Sequence, residues 1–147
     1  MPHPHNLQRF LEAQSPVYDQ VVKELRQGEK RTHWMWFIFP QIEGLGSSPM
    51  ARKYAIQFKA EARAYLEHEI LGTRLRECAE ILLGLNGRTV GQIFGPVDKL
   101  KLRSSLTLFE SVADPEETRF SEALEKYYEE QKDSATLAIL MLSQSKM

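Results

Sequence analysis

The chain has 147 residues, 42% hydrophobic and 27% charged, the size and mix of one ordinary globular domain and not of a disordered or fibrous protein. A net charge of −1 and a pI near 6.4 exclude a general nucleic-acid binder, which needs a surplus of bases for the phosphates.

In chain order, the opening MPHPHNLQRF lacks the basic start and apolar stretch of a signal peptide. No apolar run in the chain reaches the roughly 20 residues that cross a bilayer, so a cytoplasmic location without membrane contact is expected. His3 and His5 read as part of a frayed end and not as metal ligands. Ser15–Pro16 has the form of an N-cap followed by proline at the first helical position. Val17, Val21 and Leu25 then recur every four residues up to Gly28, a helix stop. The run WMWFIF, ended by Pro40, has strand-like residue types but no partner strand, and reads as a helical turn or an extended buried segment. Ser48–Pro49 repeats the start signal, and Met50, Tyr54, Phe58, Ala62 and Tyr65 predict one long helix. Leu71, Leu75, Cys78, Leu82 and Leu85 mark another, stopped by Asn86–Gly87. Cys78 is the sole cysteine, which excludes an intramolecular disulfide and a multi-cysteine zinc site.

Thr89 can cap a short turn that ends at Gly95, and Pro96 opens a helix carrying Val97, Leu100, Ser104 and Leu108. Asp114–Pro115 predicts a further, acidic helix with Phe120, Leu124, Tyr127 and Tyr128, and Asp133 can cap the last one. No internal repeat or linker splits the chain. The expectation is therefore all-α: a single compact domain over residues 1–147 with six or seven helices.

Three stretches concentrate chemistry. In KRTHWMW, the rings of Trp34 and Trp36 are either core or a stacking surface, and Lys30, Arg31 and His33 beside them either complement a helix C-terminus or meet an anion. In GLGSSP, Gly44 and Gly46 allow a sharp turn and Ser47–Ser48 lead into a helix start, although the spacing matches no phosphate-loop or dinucleotide fingerprint. In DKLKLRSS, Asp98, Lys101 and Ser105 share one helical face, with Ser104 near Lys101 and leucines on either side. Burying such groups costs several kcal/mol unless they pair or meet a ligand. Each of the first and third blocks can satisfy what the other leaves unpaired. Lys30 or His33 is thus expected within hydrogen-bonding reach of Asp98 or Ser105.

The blocks RFLEAQ, KRTHWMWFIFPQIEGLGSS, EARAYLEHEILGTRL, IFGPVDKLKLRSSLTLF and DSATLAIL resemble the bacterial domain-of-unknown-function 1810 family, sometimes labelled calpastatin-like. The resemblance covers nearly the whole chain and implies a compact multihelical cytoplasmic domain with no established activity. Glu69 is a departure, because members usually carry a proline after the histidine of YLEHEILG.

The functional expectation is a site for an anionic, nucleotide-like or phosphorylated small molecule. Lys30, Arg31, Lys99 and Lys101 supply charge, Trp34 and Trp36 a stacking surface, and Ser104, Ser105 and Thr107 hydrogen bonds. A hydrolytic version assigns acid–base chemistry to His33 or Asp98, with no metal or cofactor. The alternative is a non-enzymatic interaction module that uses the acidic helix 115–131 or an aromatic patch near Trp34.

Overall fold

Local capping chemistry sets several element boundaries in the computed structural model, which describes residues 6–145. His3 and His5 lie outside that range. Nine helices occur among the described residues, against the expected six or seven. They are α1 (Gln8–Gln14), α2 (Tyr18–Gln27), α3 (Met35–Ile38), α4 (Pro49–Lys53), α5 (Lys59–Glu67), α6 (Glu69–Gly84), α7 (Val90–Val112), α8 (Arg119–Tyr128) and α9 (Ser134–Ser145). None is long and apolar enough to cross a membrane.

Several expected punctuation marks hold. Gly28 ends α2 in the left-handed region at φ 72°. Ser48 Oγ accepts the Ala51 N–H at 3.1 Å, and Asp133 Oδ2 accepts that of Thr136 at 3.0 Å. Thr89 and Gln92 form a reciprocal capping box at 3.1 and 2.9 Å. Gly95, at φ 83° and ψ 173°, breaks α7 immediately before Pro96. WMWFIF supplies the short α3, a helical turn buried among the core residues.

Three expected boundaries move, each for a tertiary reason. Ser15 does not start α2. It ends α1, whose Gln14 is held in the core by hydrogen bonds to Phe37 O (2.7 Å) and Tyr65 Oη (2.8 Å), and α2 begins at Tyr18. The long helix expected from Met50 to Tyr65 is two helices. Between them, Ile56 is fully buried and extended, bonded through Ile56 N to Gln41 O (2.9 Å) and through Glu43 N to Ile56 O (2.8 Å). The carbonyls freed at the end of α4 are met by Arg9, which donates to Lys53 O and Ala55 O at 2.9 Å each. Asp114–Pro115 does not open α8 either. Glu117, clamped by Arg76 (2.8 Å) and Arg119 (3.0 Å), fixes a turn there, and the helix begins at Arg119.

The C-terminal half of α7 is the central strut. Leu102, Leu106, Leu108 and Phe109 are buried, and α7 packs against α5, α8 and α9. Rings of Phe10, Tyr65, Phe109 and Phe120 run in sequence through this core at centroid separations of 5.0, 5.2 and 6.2 Å. A second aromatic cluster, Trp34, Phe39 and Phe94, fills the space beneath the break in α7.

Candidate functional site

The segment from Glu29 to Trp34 has no regular structure, so something other than a helix must hold it. Glu24 does so. Its carboxylate lies on the buried face of α2 and accepts five hydrogen bonds: from Arg31 N (2.7 Å), Thr32 N (3.0 Å), Thr32 Oγ1 (2.6 Å), Trp34 Nε1 (2.9 Å) and Gln20 Nε2 (2.9 Å). Burial pushes the carboxyl upward, but this set of donors outweighs it and brings the pKa from 4.5 down to about 2. Glu24 is thus an anionic hub around which the loop is wrapped. The sequence analysis missed it, although its position three residues after Val21 and one before Leu25 puts a carboxylate beside the apolar stripe.

The wrapped loop aims Lys30 at α7. Lys30 Nζ lies 3.0 Å from Asp98 Oδ2, donates to Thr32 O at 2.7 Å and stands 5.0 Å from the centre of the Trp34 ring. The expected junction between KRTHWMW and DKLKLRSS is therefore present, carried by Lys30 and Asp98. On the other side of the same carboxylate, Lys101 Nζ is 3.7 Å from Asp98 Oδ1 and 5.4 Å from the Trp36 ring centre. Asp98 is shared by two lysines, and each lysine covers a tryptophan.

Beyond Lys101 opens a cleft of about 510 Å³. One wall is α7, through Val97, Leu100, Lys101, Arg103 and Ser104. The second is Gln41, the Leu45–Ser48 turn and Ala51. Asp133 and Ala135, at the start of α9, close it. Two of the three chemistry-bearing stretches of the sequence, GLGSSP and DKLKLRSS, thus face each other across one space. The acceptors near it are largely engaged: Asp98 with Lys30, and Asp133 with the N–H and hydroxyl of Thr136 at 3.0 and 2.6 Å. The cations are held by looser ion pairs. Lys101 and Arg103 stand 3.7 and 3.8 Å from their nearest carboxylate oxygens, too far for good hydrogen bonds, and Arg103 Nε is buried with no hydrogen-bond partner.

The remaining expected site residues separate. Trp34 is 1% exposed, with its N–H committed to Glu24, so no face of it is open for stacking. Trp36 is half-buried and lines a neighbouring small cavity with Tyr54 and Arg52. His33 is exposed and makes no hydrogen bond or ion pair among the described residues, and Arg31 pairs with Glu29 at the surface at 3.3 Å. Lys99 is half-buried and carries no ion pair among the described residues; its carbonyl accepts from Tyr128 Oη at 2.5 Å. Ser104 lines the cleft and bonds back to Leu100 O at 3.1 Å. Ser105 Oγ is buried and unpartnered but does not line the cleft. Thr107 ties α7 to α9, donating to Arg103 O (2.8 Å) and accepting from Asp133 N (2.9 Å). Arg103, Leu45 and the cleft side of Asp133 were not foreseen. No group of three His, Cys, Asp or Glu able to hold a metal occurs among the described residues.

A family model described as protein of unknown function (DUF1810) matches residues 4–140. Among solved structures, the conserved hypothetical protein Rv1873 from Mycobacterium tuberculosis is similar, with 51% sequence identity over 95% of this chain and 99% of that one and a TM-score of 0.92. No curated protein matches the chain.

Proposed function

We propose that this chain, which belongs to the DUF1810 family of proteins of unknown function, binds an anionic small molecule carrying a phosphate or carboxylate in the cleft between α7 and the Leu45–Ser48 turn. The observation that carries the reading is the pair of cations on one cleft wall, Lys101 and Arg103, which stand 3.7 and 3.8 Å from their nearest carboxylate oxygens and so lack a close acceptor. An oxyanion in the cleft supplies acceptor lone pairs for the outward N–H groups of these two cations, as a charge-assisted pair requires. Asp98, engaged by Lys30, anchors Lys101 at the mouth of the cleft in this reading.

Titration calorimetry with inorganic phosphate, pyrophosphate and small dicarboxylates tests it. Binding should weaken roughly ten- to a hundredfold in Lys101→Ala and Arg103→Met, the loss expected for a charge-assisted bond of about 1.5–3 kcal/mol. Equal affinity in both variants, or no binding by any of these anions to the folded protein, would rule the reading out.

A second reading, the interaction module, has support from α9. This helix carries no charged residue, and its Leu137, Met141 and Leu142 are 37%, 68% and 61% exposed. Of the surfaces first expected for that role, Trp34 is core, whereas the acidic segment keeps Glu122, Glu125, Glu129 and Glu130 exposed, with Glu117 paired with arginines. Sedimentation of wild type and Met141→Glu across concentrations tests it, since self-association relieved by the charge supports an interface there.

A further inference from the structure

We infer that the ligand of this cleft is amphiphilic, an oxyanion head on an aliphatic chain, and not a nucleotide. The inference rests on the binding reading above and deepens it. A nucleotide site needs a ring face on which to stack the base, and neither tryptophan presents one to this cleft: Trp34 is buried beneath Lys30, and Trp36 borders a different, smaller cavity with Lys101 near its ring. Besides the cations, the cleft is lined by polar groups (Gln41, Ser47, Ser48, Ser104 and Asp133) and by an aliphatic strip. Val97 and Leu100 are 63% and 52% exposed, large values for a valine and a leucine set in a concave wall, and Leu45 stands on the opposite side.

The register of α7 arranges these groups in order. Val97, Leu100, Lys101 and Ser104 fall at i, i+3, i+4 and i+7, on one helical face. Apolar surface therefore occupies the turn next to the Gly95 break. Cationic and hydroxyl groups follow one turn further on, with Arg103 beside them. A head at Lys101 and Arg103 places a chain along Leu100 and Val97, covering apolar surface that water now wets. Phosphate and carboxylate heads share this chemistry.

The test is calorimetry on the full chain with two homologous series, n-alkyl phosphates and n-alkyl carboxylates from one to eight carbons, below micelle formation, with AMP and inorganic phosphate alongside. Each added methylene should tighten binding about two- to fourfold, the upper figure corresponding to about 0.8 kcal/mol for a fully buried CH₂, and the ratio between the series identifies the preferred head. AMP should bind no better than methyl phosphate. Leu100→Ser should flatten the chain-length dependence, whereas Met141→Ser on the exposed face of α9 should leave the dependence intact. Chain-length independence with phosphate still bound overturns this inference alone, as does preference for AMP or a dependence removed by Met141→Ser. Failure of every anion, inorganic phosphate included, overturns the binding reading with it.

Discussion

Glu24 is the residue on which the placement of Lys30 depends. Removing its carboxylate in Glu24→Ala leaves the Trp34 indole N–H and the backbone N–H groups of Arg31 and Thr32 without acceptors. At about 1–3 kcal/mol for each unsatisfied group, a loss of about 3 kcal/mol or more is expected in urea denaturation. The sign of its pH dependence follows from a pKa depressed to about 2 from 4.5. The contribution is complete above about pH 4.5 and disappears as pH falls toward 2. Stability of the wild type should therefore drop over that window more steeply than that of Glu24→Gln, and parallel curves would contradict the assignment. Asp98 is a lesser case, because its side chain is 20% exposed. Asp98→Asn leaves Lys30, 8% exposed, short of its counter-charge, for an expected loss of about 1–2 kcal/mol. Cys78 is fully buried, and burial pushes its thiol up to about 12, so it should resist alkylation in the native protein at neutral pH.

At the scale of elements, the helix signals that were legible are those closed by their own neighbours. Ser48, Thr89, Asp133 and Gly28 each act within a few residues, so sequence alone contains both donor and acceptor. Ser15, Asp114 and the break after Lys53 were misplaced because their partners are distant: Gln14 with Tyr65, Glu117 with Arg76, and Ile56 with Gln41. Gly95 carries the sharpest local demand. Its φ of 83° and ψ of 173° lie in a region that side chains avoid, and a Cβ there would meet no neighbour within 4 Å. Gly95→Ala should then cost about 1–3 kcal/mol from backbone strain alone, seen as a lower melting temperature. Glu69 makes the opposite case. It occupies the first position of α6 after His68, whose φ and ψ of −65° and 131° suit a residue preceding proline, and whose Nδ1 accepts from Ile70 N at 3.1 Å. Glu69→Pro should be neutral or stabilise by about 0.4–1 kcal/mol. A marked drop in melting temperature would show that the Glu69 N–H or charge matters.

For the whole molecule, half of the candidate site was readable in the sequence. Polar groups embedded among large apolar ones in two blocks required each other, and Lys30 meets Asp98 accordingly. The Leu45–Ser48 turn was flagged as a stretch of interest but not joined to α7 across a cleft, because periodicity relates neither it nor Asp133 to Lys101. Arg103 stayed hidden for the same reason: its place beside Asp133, at the start of α9, is set by the tertiary fold. Removing the Arg103 side chain also separates a binding residue from a structural one. A guanidinium kept for stability should cost the fold when removed, whereas one kept for a ligand is a burden on the empty protein. The most direct measurement is therefore paired melting and phosphate-titration experiments on wild type and Arg103→Met, with backbone amide shifts recorded during the titration. The account predicts a melting temperature for Arg103→Met equal to or above that of the wild type, phosphate-induced shifts confined to Gly46–Ser48 and Lys101–Ser104, and their loss in the variant. A destabilised variant whose phosphate shifts persist, or shifts that map instead to the polar pocket of Arg9, Arg52 and Lys53, would contradict it.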